Sequence, residues 1–103
     1  MTPDLSALDR DIRRAITGKR LVELFYESKR RVAEPHDYGI QKGAAKLLVY
    51  QVGGESSSRI PGWKHLDLAK IERLVVLDQE FRGSRGAAHR YHKSWDVLLA
   101  RVE

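Results

Sequence analysis

From Lys19 to Val52 short apolar runs, whose side chains alternate between two faces when extended, are divided by a proline and turn residues, and this pattern restricts what the chain can fold into more than any other feature. Val22, Leu24 and Tyr26 fall on one face of an extended segment, with Leu21, Glu23 and Phe25 on the other. Further on, Leu48, Tyr50 and Val52 oppose Leu47, Val49 and Gln51. Residues that break ladders divide the stretch. Ser28-Lys29-Arg30 reads as a turn, and Arg31 to Glu34 as a return strand. Pro35 is expected to end that strand because it has no amide to donate. His36 to Ile40 follows as an irregular strand or bulge, then a Lys42-Gly43 turn, then a strand over Lys46 to Val52. Trp63 to Leu68 and Arg73 to Leu77 give a fourth and a fifth strand joined through Ala69-Lys70-Ile71-Glu72. Between them and the hairpins, Gly53-Gly54-Glu55-Ser56-Ser57-Ser58 is a loop. It lacks the Gly-Lys-Ser/Thr ending and the following helix of a phosphate loop.

Outside this stretch the period changes. Leu5, Leu8, Ile12, Ala15 and Ile16 recur at steps of three and four, which predicts a helix over residues 3–17 with one apolar stripe. Thr2-Pro3-Asp4 supplies a capping hydroxyl, a proline at the first helical position and an acid at the positive dipole end, and Gly18 suits the residue just past the helix. Trp95, Leu98, Leu99 and Val102 also fall at helical spacing, so a short terminal helix is expected from about Ser94. The expected fold is therefore mostly β with flanking helices: five short antiparallel strands curled into a small barrel that removes the sheet edges.

The 103 residues form one domain, 1–103, because a chain of this length sustains a single core. Absence of cysteine excludes disulfides, thiol catalysis and thiolate zinc sites. Even the longest apolar runs, such as Leu74 to Leu77, are far short of a membrane span, and without a signal-like apolar core near the N-terminus the expected location is the cytoplasm. Nineteen Lys and Arg against fourteen Asp and Glu give a net charge of +5, a modest pull toward anionic partners.

The order of a helix, KRLVELFYESKRRVAEP, a glycine-containing turn, KLLVYQ, LDLAKIERL and Phe81 resembles the WYL domain over about Ile12 to Phe81. Tyr26, Arg31 and Pro35 match that family's Tyr-ended strand and its Arg-to-Pro return strand, and Leu66 with Lys70-Ile71 matches its Leu followed by a basic-Ile pair. Of the tripeptide that names the family only Leu47 is present, after Ala45-Lys46, and the helix-turn-helix that usually precedes such domains has no counterpart here. The resemblance implies a five-stranded SH3- or Sm-like barrel acting as a regulatory module that senses a ligand such as a nucleotide or nucleic-acid fragment.

Two groups of residues are candidates for that role. Glu34-Pro35-His36-Asp37-Tyr38 places two carboxylates, an imidazole and a phenol in five residues, of which His36 and Tyr38 are read as ligand-binding. Catalysis would require an orienting carboxylate and a substrate proton within reach of His36, so no catalytic residue is assigned. Tyr50, Gln51, Trp63 and Lys64 combine flat rings with polar and cationic groups, the mixture that stacks bases and neutralises phosphate, and Arg30, Arg31 and Arg59 would line the rim. No cofactor or metal is assigned; His89 and His92 are one helical turn apart but lack a third ligand nearby in sequence. The reading is a non-enzymatic binding module for an anionic small molecule or single-stranded nucleic acid. The alternative is an interaction domain that forms a homodimer through strands apolar on both faces, and an enzyme ranks third.

Overall fold

In the computed structural model, residues 5–56, 58–85 and 95–103 are described. The apolar stripe of the first helix is realised in α1 (Leu5–Gly18), which buries Leu8, Ile12, Ala15 and Ile16. The start expected at Thr2 to Asp4 lies outside the described residues. At the other end the left-handed residue is Lys19, with φ of 54°, one position later than the glycine expected to take it; its amide donates to the Ile16 carbonyl at 3.3 Å.

Six strands follow: β1 (Arg20–Tyr26), β2 (Lys29–Gln41), β3 (Ala44–Gly54), β4 (Gly62–Asp67), β5 (Ile71–Glu80) and β6 (Val97–Arg101), with a 3-10 turn at Leu68–Lys70. All ladders are antiparallel, in the order β4-β3-β2-β1-β5, with β6 also on β2. The two hairpins close on two-residue turns, Glu27-Ser28 and Lys42-Gly43, each with positive φ at both positions. That twist matches the strands it joins. The first turn thus precedes the expected Ser28-Lys29-Arg30.

Strand β2 is the spine, and it corrects the expectation that Pro35 ends a strand. Its 13 residues pair with β3 along one edge. On the other edge Lys29 to Ala33 pair with β1, and Asp37 to Ile40 pair with β6. Pro35 falls in the gap between these two ladders, beside a register shift at His36, where a missing donor is tolerated.

The same edge explains why the expected C-terminal helix is instead β6. Past β1, the second half of β2 offers unpaired backbone groups, which a Val-Leu-Leu segment can take up. The Asp96 amide donates to the Ile40 carbonyl at 2.9 Å and the Val102 amide to the His36 carbonyl at 2.8 Å. Arg101 then forks onto the buried Asp37, at 2.9 and 3.0 Å. Gly39 is required where β6 crosses: a Cβ there would meet the Val97 carbonyl and lie 2.7 Å from the Trp95 ring.

The expected closed five-stranded barrel is also corrected: the sheet has six strands and is open, with β4 and β5 as its ends. The chain passes from β4 to β5 through the 3-10 turn, and no β4–β5 ladder forms among the described residues. Instead α1 lies against β1, β2, β5, β6 and that turn, covering the core that closure would have sealed. Ile12, Val22, Leu24, Ala33, Leu47 and Ile71 are fully buried there. Among the described residues no helix is long and apolar enough to cross a membrane.

Candidate functional site

The site follows from register. Glu34 on β2 stands directly across from Tyr50 on β3, which stands directly across from Trp63 on β4. Residues opposite one another in a ladder share a face, so a carboxylate and two aromatic rings form one row across three strands. The Tyr50 and Trp63 rings meet edge to face, with centroids 5.1 Å apart at 72°. Beside this row is a cavity of about 720 Å³, to which Leu21, Phe81, Glu80, Arg82 and Arg85 also contribute.

The segment after β5 crosses this row. Its backbone is tied down at both ends: the Phe81 amide donates to the Lys19 carbonyl at 2.8 Å and the Ser84 amide to the Glu103 carbonyl at 3.0 Å. Between them Gly83 takes a φ of 110°, a conformation favouring glycine. This brings Arg85 over Tyr50, its guanidinium carbon 3.7 Å from the ring centroid. Nε and Nη2 of Arg85 each donate to one oxygen of Glu34 at 2.9 Å, the two-pronged pairing matched to a carboxylate. Those bonds hold the Arg85 guanidinium firmly charged.

His36 lies beneath the row. Its ring packs edge-on to Trp63 at 4.8 Å and tilted against Phe81 at 5.6 Å, and it is fully buried. Burial pushes its pKa below the usual 6.5, more strongly than the nearby Glu34 pulls it up. The neutral ring is then a donor through Nε2 to Glu34 Oε1, at 3.2 Å, and a bare acceptor at Nδ1, which has no hydrogen-bond partner among the described residues. Glu34 thus receives Arg85 from the cavity side and His36 from below.

The remaining sequence candidates are dispersed. Arg31 is buried, stacks on Tyr26, and donates to Gln51 Oε1, the Tyr26 carbonyl and Glu27. Gln51, on the opposite face from Tyr50, donates to the Gly53 and Glu55 carbonyls at 2.9 Å. Together these two side chains fasten the loop after β3. Tyr38 is buried under α1, its hydroxyl donating to Asp9 at 2.8 Å. Arg30 is paired with Glu23 at 2.7 Å. Lys64 donates to the Ser58 hydroxyl and the Arg59 carbonyl, and Arg59 itself is exposed. None of these residues lines the cavity.

Of the nine candidates, then, only Tyr50 and Trp63 line the cavity, with His36 supporting them. Sequence reasoning missed Arg85, whose only signal was its place in a basic run from Arg82 to Lys93, and left Glu34 out of the ligand-binding set. His89 and His92 lie outside the described residues. Among the described residues no group of three or more His, Asp or Glu could hold a metal ion. No protein-family model, curated protein or solved structure matches the chain.

Proposed function

We propose that the protein is a non-enzymatic binding module that takes a flat, charged group into the cavity walled by Tyr50, Trp63 and Phe81. The observation that carries this reading is the cavity itself: about 720 Å³, bounded by three aromatic rings and a few convergent charged groups. Ligand pockets commonly span roughly 300 to 1,000 Å³ with that kind of lining. Stacking between a planar ligand and such rings contributes roughly 1 to 3 kcal/mol per ring system. The ligand-sensing role implied by the WYL resemblance belongs to this proposal.

A second reading keeps the ligand anionic, a nucleotide or a short single strand. The arginines Arg82 and Arg85 at the cavity and the net charge of +5 favour it. Both readings are tested by titrating the protein with a nucleoside monophosphate and with arginine methyl ester while following the Tyr50 amide signal by NMR, which is present in the unmodified chain and in Trp63→Ala alike. Trp63→Ala is expected to weaken binding about fivefold or more at every salt concentration, in line with the loss of one stacking ring. Saturable binding that is untouched by Trp63→Ala would place the ligand elsewhere and refute the reading.

A further inference from the structure

The contacts of Arg85 specify the flat charged group more closely than the cavity volume does. A guanidinium is recognised by two features at once: a carboxylate that takes two parallel N–H donors, and an aromatic face beneath its plane. Glu34 and Tyr50 provide both, the first at 2.9 Å to each nitrogen and the second at 3.7 Å. The seat is built from below. Glu34 is buried, on a strand in the middle of the sheet, and its Oε1 is held by His36, itself fully buried against Trp63 and Phe81. The occupant is the looser partner, since the Arg85 side chain is 39% exposed while that of Glu34 is 10% exposed. The backbone holding Arg85 is fixed at Phe81 and Ser84, so the side chain can leave by rotation without unpairing the segment. With Arg85 in place the cavity of about 720 Å³ is still open beside it, room that a bridge serving only to fasten the segment would not need.

We propose that Glu34 and Tyr50 form a guanidinium seat that Arg85 fills in cis, and that the protein binds the arginine side chain of a peptide partner, or free arginine, by displacing it. This rests on the reading of the cavity as the binding site. A tethered occupant acts at an effective concentration on the order of millimolar or more, so it sets a threshold that an incoming arginine must exceed. The buried Glu34 disfavours an anion in the same place, and an ammonium cannot satisfy both carboxylate oxygens in the plane of the seat.

The test uses the full chain carrying Arg85→Ala, with Arg85→Lys as a second variant that keeps the charge but loses the fork. Each is titrated with a capped Gly-Gly-Arg-Gly-Gly peptide, free arginine, the corresponding lysine peptide and a nucleoside monophosphate, following the Trp63 indole and Tyr50 amide signals. The emptied seat is expected to bind the arginine peptide about tenfold or more tightly than the unmodified protein does, with the lysine peptide far weaker and Glu34→Gln abolishing the gain. Tighter binding of the peptide than of free arginine assigns the seat to a peptide partner; the reverse assigns it to the amino acid. If a folded Arg85→Ala or Arg85→Lys protein binds the arginine peptide no better than the unmodified chain, or binds the lysine peptide equally well, the guanidinium seat is wrong. Nucleotide binding in its place would leave the cavity reading standing without the seat, and no binding of any probe would remove both.

Discussion

Replacing Arg101 by Met tests how the last strand is held. Asp37 is 1% exposed, and Nε and Nη2 of Arg101 donate to its two oxygens at 2.9 and 3.0 Å. Taking the guanidinium away leaves a carboxylate that water cannot reach from the core side. Removing one partner of a fully buried pair costs about 3 to 5 kcal/mol. The Arg101 side chain is 39% exposed, however, so the pair lies at the boundary and the vacated side can hydrate. The expected loss is therefore smaller, about 2 to 3 kcal/mol, in line with two charge-assisted hydrogen bonds partly replaced by water. In urea unfolding, with a slope typical of a small domain, that lowers the midpoint by about 1 to 2 M. Adding Asp37→Asn should restore about 1 kcal/mol or more, because the uncompensated charge is then gone. A loss under about 0.5 kcal/mol at unchanged slope, or no recovery in the double variant, would refute the claim that this pair fastens β6 to β2.

Four further outcomes are expected. Ile12→Ala should cost about 2 to 4 kcal/mol in denaturant unfolding, since Ile12 is fully buried between α1 and the sheet; a change under about 0.5 kcal/mol would mean that the helix does not dock there. Gly39→Ala should unseat Trp95 and β6, read as loss of amide protection from Val97 to Arg101, and retained protection would contradict the close approach at Gly39. Because the folded pKa of His36 is depressed, its contribution to stability is present above the unfolded value near 6.5 and lost as pH falls; a ring titration midpoint by NMR at or above 6.5 would overturn this. Burial and then Asp9 push the Tyr38 hydroxyl up from 10.0 to about 12, so its contribution is complete below pH 10 and declines from there to about pH 12. Comparison with Tyr38→Phe, which should lack that decline, isolates it from lysine titration.

The parts of the fold legible in the sequence are those that one local period dictates. The stripe from Leu8 to Ile16 and the alternation in Leu21 to Tyr26 have one satisfactory burial each, and both became the elements they predict. The segment from Val97 to Arg101 has two. Its apolar spacing fits a helix, but the free edge of β2 beyond β1 offers hydrogen bonds that only a strand can use, and that edge exists only in three dimensions. Pro35 misled for a related reason: it ends a strand that needs its amide on a ladder, whereas here it lies between two ladders. At the site, Tyr50 and Trp63 were legible as flat rings suited to stacking. Their alignment with Glu34 depended on the register of three strands, and Arg85 arrives from 51 residues away along the chain. The basic residues Arg30, Arg31, Arg59 and Lys64 drew attention instead, and Arg30, Lys64 and above all Arg31 are committed to neighbours.

The most direct test of the binding account is a crystal structure of the Arg85→Ala protein grown with N-methylguanidinium. The account predicts a planar density stacked on Tyr50, with two nitrogens within hydrogen-bonding distance of the two oxygens of Glu34 and His36 still against Oε1. A guanidinium bound only at other surfaces, with the Glu34 and Tyr50 seat left vacant at saturating concentration, would contradict it.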